Sequence, residues 1–166
     1  MEHLLGGVNR TGNLATDAVA ILRHHGRDDV AEHVQRVAAE AERIARRLGA
    51  DVTAATTAAW LHDISLVIPA SDMLGAAESA GLDILPEERQ VPVLLHGKLS
   101  AVIAQRHFGV QEPITLDAMR CHTTLRAGAS RCPSSTPGCE APFVPAAFAP
   151  SAFSPGAAPP PSSTAT

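Results

Sequence analysis

Apolar residues recur every three or four positions through the first 131 residues, and each such run breaks off at a glycine or a proline. That spacing gathers apolar side chains on one side of an α-helix. It predicts a modest helix over 14–25, ended by Gly26. A long helix follows, capped by Asp28 or Asp29 and running to Leu48 before Gly49. Along it Val30, Val34, Val37, Ala41, Ile44 and Leu48 form the stripe expected to face inward. Asp51 or Thr53 caps a third helix, VTAATTAAWLHDISLVI, stopped by Pro69. A short helix is expected over 71–80, and another begins at Pro86 with the acidic first turn PEER. Residues 92–108 and 113–125 complete the set. No alternating strand pattern and no internal repeat is present, so the fold class is all-α, a helical bundle.

Composition divides the chain near residue 131. Before that point lie all eight histidines, all 13 basic residues and all acidic residues but Glu140. After it, APFVPAAFAPSAFSPGAAPPPSSTAT has a proline density that forbids helix and strand alike. The organisation expected is a lead-in over 1–13, a helical domain over 14–131 and a disordered Pro/Ala/Ser-rich tail over 132–166. A coding frame change near residue 131 is an alternative origin for that tail, since GC-rich DNA read out of frame yields similar residues. The net charge of -4 gives no basic footprint for a nucleic-acid polymer or a membrane surface. No apolar run approaches the ~18 residues that span a bilayer. MEHLLGGVNRTG lacks both parts of a signal peptide, so a soluble, cytoplasmic protein is expected. Cys121, Cys132 and Cys139 form neither a zinc pattern nor a disulfide framework.

The sharpest chemical feature is AAWLHDIS, where His62 and Asp63 lie side by side in an apolar stretch. Burying an unpaired charge is costly, so this pair needs hydrogen bonds or a metal. A neutral imidazole and a carboxylate make a mixed N/O site for a divalent transition metal. Alone, the dipeptide reads as readily as a helix-end Asp beside a satisfied His. His33 adds weight: it lies between Val30 and Val37 on the preceding helix, which a helical hairpin brings against His62. His96, in VPVLLHGKLSAVIAQ, opens into a small Gly–Lys turn, and His122, in MRCHTTLRAGAS, ends a further apolar helix. His3, His24, His25 and His107 lack such a setting.

In that order, His33, His62–Asp63, LLHGKLSAVIA and CHTTLRAGAS resemble the HD superfamily of metal-dependent phosphohydrolases. More narrowly they resemble its YqeK branch, which includes symmetrical diadenosine tetraphosphate hydrolases. The resemblance covers residues 14–131. It implies that His33, His62 and Asp63 hold one metal, and that His96 and His122 hold a second or position its water and the phosphate. It implies a dinuclear divalent transition-metal centre, with iron ranked ahead of manganese, cobalt and zinc, and a small-molecule nucleotide substrate. Relatives often dimerise, which leaves a homodimer open.

For such a reaction Asp63, His96 and His122 are the expected catalytic groups: Asp63 accepts a proton and either histidine protonates the leaving phosphate. A divalent metal lowers the pKa of water towards about 7. Lys98, Thr123 and Arg126 are candidates to meet phosphate, with solvated surface as the competing reading for the two cations. One departure stands out. HD proteins usually close the site with a last Asp in a motif resembling VADKI, and no Asp follows Asp117 here. The domain is therefore expected to be C-terminally incomplete. The alternative function is a catalytically impaired HD-fold protein that binds a nucleotide or partner; a helical interaction domain with fortuitous histidines is a third.

Overall fold

The chain's start is built around Asp17, a buried carboxylate that accepts hydrogen bonds from Thr11 N–H, Thr11 Oγ1 and Gly12 N–H at 2.7, 2.8 and 3.1 Å. The computed structural model describes residues 7–123. Within them lie α1 (Leu14–His24), α2 (Asp28–Leu48), α3 (Val52–Leu61), α4 (Ala70–Ser79), α5 (Pro86–Gln90), α6 (His96–His107) and α7 (Pro113–Cys121). Single 3-10 turns at Ile64–Val67 and Pro92–Leu95 lead into α4 and α6, and no strand occurs among the described residues. The helix expected over 113–125 ends at Cys121, with His122 and Thr123 already in a bend. The expected lead-in before residue 7, residues 124–125, Arg126, Cys132, Cys139 and the whole 132–166 tail lie outside the described residues.

The predicted helices are present, with three shifts that have physical causes. Asp51 caps α3 by accepting from Ala54 N–H at 2.9 Å. On α2, however, the N-cap position falls to Arg27, and Asp28 and Asp29 occupy the first turn, where their charge suits the helix dipole. The buried face of α2 is rotated by about one residue from the expected stripe. Val30 and Val34 are buried, but they are joined by Ala31, Ala38, Ala41 and Ala45, while Leu48 is exposed. Small side chains win that face because α2 packs along α3, whose Ala55 and Ala59 meet Ala38 and Ala41. Finally, the third helix does not run through to Pro69. It ends at Leu61, and the chain tightens through His62 and Asp63 into the 3-10 turn.

Leu22, Val34, Leu61, Ile64, Leu95, Leu99, Ile103 and Met119 fill the central core, where α1, α2, α3, α6 and α7 converge. The bundle leaves its chemistry-bearing side chains at one end: the α2 midpoint, the corner after α3, the start of α6 and the end of α7.

Candidate metal centre

Four elements deliver five ligating side chains to that end. His33 projects from α2, His62 and Asp63 from the corner after α3, His96 from the first residue of α6, and His122 from the residue after α7. Asp63 stands at the middle. Its Oδ2 lies 3.3 Å from His62 Nε2 and 3.7 Å from His33 Nε2; its Oδ1 lies 3.4 Å from His122 Nε2 and 3.5 Å from His96 Nε2. Each carboxylate oxygen thus serves one histidine pair. Within the pairs, the Nε2 atoms of His33 and His62 are 3.2 Å apart, and those of His96 and His122 are 2.9 Å apart.

Three of the rings are oriented by the same device. The imidazole Nδ1–H of His62 donates to the Ala59 carbonyl at 2.8 Å, that of His96 to Val93 at 2.6 Å, and that of His122 to Met119 at 2.7 Å. In every case the acceptor is three residues earlier on the same chain. A carbonyl can only accept, so Nδ1 carries the hydrogen and the neutral ring presents its lone pair at Nε2. The side chains of His62, His122 and His96 are 2%, 6% and 11% exposed, whereas His33 is 46% exposed. Burial pushes the His96 and His33 imidazoles below their ordinary pKa, with the neighbouring histidines adding to the shift. Both are therefore neutral at pH 7. Burial alone would raise Asp63; hydrogen bonding from His122 and His62, in the state where those rings carry Nε2–H, overrules that and holds the carboxyl well below the usual carboxylate range.

Electron pairs from neutral rings and an ionised carboxylate converge here, a donor set that a cation satisfies. Two groups of three meet the requirement: His33, His62 and Asp63, and Asp63, His96 and His122. Ligands held about 2.0–2.2 Å from one ion lie roughly 2.9–3.5 Å from each other, close to the separations observed. The residues fit a pair of divalent transition metals sharing Asp63. Among the described residues each position has three protein ligands, which leaves room for substrate or water, as catalytic sites require.

All five ligand candidates read from the sequence are brought together. Thr123 follows His122 and is exposed. Lys98 is on α6, roughly 200° around the helix from His96, and its ammonium donates to the Glu88 carboxylate at 2.7 Å and the Asp83 carbonyl at 2.8 Å. The Gly–Lys turn expected after His96 is instead the first turn of α6. Gly97 has another use: a Cβ there would lie 2.9 Å from the Met119 carbonyl oxygen and 3.4 Å from the His122 ring. Only glycine lets α6 approach the end of α7 closely enough to pair His96 with His122. Asp117, the last aspartate of the chain, pairs with Arg120 at 2.8 Å on α7 and belongs to neither ligand group.

Comparison with known proteins agrees with this architecture. Residues 30–158 match the HD domain family. Over 98 residues the chain is 36% identical to a symmetrical bis(5'-nucleosyl)-tetraphosphatase of Bacillus subtilis strain 168, covering 58% of this chain and 51% of that one. Over 72 residues it is 40% identical to an uncharacterized protein in the pepC 5' region of Lactococcus lactis subsp. cremoris, covering 43% and 37%. The chain spans about half or less of the length of these curated relatives. A crystal structure of a predicted HD superfamily hydrolase involved in NAD metabolism, from Clostridium acetobutylicum, shares the fold. Its TM-score is 0.64 at 23% identity, over 69% of this chain and 61% of that one.

Proposed function

The chain belongs to the HD domain family, and from that premise we propose that it is a metal-dependent phosphohydrolase acting on a small nucleotide. A dinucleoside tetraphosphate such as diadenosine tetraphosphate is the specific substrate we favour. The observation that carries the reading is Asp63, whose two oxygens each face one pair of histidine Nε2 atoms. The tetraphosphatase activity named for the Bacillus relative supports the substrate class.

His33, His62 and Asp63 would hold one ion, and Asp63, His96 and His122 the other, with iron favoured over manganese, cobalt or zinc. Bound there, a divalent cation would polarise a phosphoryl oxygen and lower the pKa of water towards about 7. The chain's own residues supply the rest. Asp63 stays ionised and accepts a hydrogen bond from the attacking water, whose proton passes to solvent as its oxygen bonds to phosphorus and the bridging P–O bond breaks. With Nδ1–H given to a carbonyl and Nε2 turned to the centre, His96 and His122 act as ligands and carry no proton for the leaving phosphate. We therefore assign that proton to solvent entering on the half-exposed His33 side. Thr123, exposed and next to His122 in sequence, would donate to a phosphate oxygen. Arg126 remains a proposed phosphate contact. Lys98 is the weaker candidate, since Glu88 already neutralises it.

The second reading is a nucleotide-binding protein without turnover. It is favoured by the three ligands that the described residues supply at each position. Metal analysis of chain purified without chelator, paired with phosphate release from several nucleotides, separates the two. Bound metal with turnover abolished by His62→Ala or Asp63→Ala supports the enzyme; bound metal with nucleotide affinity and no turnover supports the second.

A further inference from the structure

Next to the ligand cluster in sequence, two fully buried hydroxyls, Ser65 and Ser100, are bonded to each other inside the core. Ser65 stands two residues after Asp63, and Ser100 one helical turn after His96. The backbone N–H of Ser65 donates to Ser100 Oγ at 3.1 Å, Ser100 Oγ–H donates to Ser65 Oγ at 3.0 Å, and Ser65 Oγ–H donates to the His96 carbonyl at 2.7 Å. Each proton has one acceptor, and the relay runs in one direction from the corner after α3 to the first residue of α6.

Leu61, Ile64, Leu95 and Leu99, all buried, are close neighbours of the two serines in sequence. For the hydroxyl–hydroxyl bond alone, apolar side chains of the same size would serve nearly as well, because swapping both partners for apolar groups is close to neutral; only the Ser65 backbone N–H would lose its acceptor. What apolar packing would not supply is direction. A dispersion contact tolerates a slide of the two segments, whereas three directional hydrogen bonds tolerate much less. The segments so joined are the one that carries Asp63 and the one that carries His96, and their ligand atoms stand 3.5 Å apart.

We propose that Ser65 and Ser100 are positioning residues, a hydroxyl clasp that sets the Asp63–His96 spacing and so tunes the metal position formed by Asp63, His96 and His122. The clasp depends on the metal-centre reading above. It acts on one of the two positions because it grips α6, which contributes nothing to the His33 pair. Ser65→Ala removes the bond to His96 while keeping the backbone donor. Ser100→Ala removes the acceptor for the buried Ser65 N–H. Because the three bonds form one unit, the double variant should be no worse than the worse single.

The test is a titration of the chelator-stripped full chain with cobalt(II), followed by absorption and calorimetry well below the unfolding temperature. Metal-free unfolding is measured in parallel. Wild type is expected to show two binding events. In Ser65→Ala and Ser100→Ala one event weakens about 10- to 100-fold, as for other groups that orient ligands, and the other hardly moves. Ser100→Thr, which keeps the hydroxyl, retains the wild-type affinity and guards against a variant that fails to fold. Both affinities unchanged, with only a lower metal-free unfolding midpoint, would reduce the serines to packing and overturn the clasp. A wild-type chain that binds no cobalt would instead overturn the metal centre itself, a different result.

Discussion

The two halves of the candidate centre share Asp63 but are built in opposite ways. His96 and His122 are clamped: their rings are buried, both Nδ1 atoms are given to carbonyls, and Gly97 holds their helices in contact. His62 is clamped likewise, but its partner His33 reaches in half-exposed from the side of α2. One half is defined by the core; the other is closed by a side chain that solvent can reach. A buried, pre-oriented ligand pair loses little entropy on gathering around an ion, whereas an exposed ring must first be ordered. The clamped half should therefore bind more tightly, and the open half should be where substrate arrives.

The strongest way to break this comparison is to remove what the halves share. Asp63→Ala should abolish metal binding at both positions, and phosphate release with it. The loss should exceed the about 10- to 100-fold typical of a partner that only orients a ligand. Metal content and turnover of the variant would decide it; one metal retained at full affinity would mean the halves are independent. Gly97→Ala comes next. Its Cβ would press on the Met119 carbonyl, so the end of α7 must move and carry His122 away from His96. We expect loss of the tighter event together with about 1–3 kcal/mol of stability, the usual range for overpacking, read by titration and denaturant unfolding. His33→Ala should be gentler: the weaker event disappears, the tighter one survives, and the unfolding midpoint barely shifts because the ring is half-exposed.

Asp17 sharpens the comparison from outside. The Thr11 N–H, against the opposing push of burial, holds its carboxyl below the ordinary value, with Thr11 Oγ1, Gly12 N–H and Arg10 assisting. A depressed folded-state pKa contributes stability above the unfolded value near 4, and that contribution is lost as pH falls through the folded value. Asp17→Asn should thus lower stability at neutral pH and flatten its decline below about pH 4. The ratio of the two metal affinities should not change. A pH series of unfolding midpoints, with and without metal, checks both statements.

Much of this centre is legible in residue spacing. A histidine one helix before an apolar His–Asp pair, and two more at later helix ends, suffice to single out the five candidate ligands. The register of α2 was not, because Val37, Ile44 and Leu48 are the better hydrophobes and only the closeness of α3 makes alanines the right fit. The clamping was hidden for a different reason. The Ala59, Val93 and Met119 carbonyls carry no side-chain signature, and the Ser65–Ser100 relay exists only once two distant segments meet. Gly97 is visible in the sequence, but a glycine after a histidine suggests a turn until a neighbouring backbone accounts for its missing side chain.

The central claim is that one carboxylate joins two unequal metal positions. Elemental analysis of the full chain and its variants, reconstituted with manganese or iron and freed of loose ion, tests it most directly. About two ions per wild-type chain are expected, about one for His33→Ala, and none for Asp63→Ala, in keeping with the two ligand groups. Two ions retained without Asp63, or none retained without His33, would contradict it.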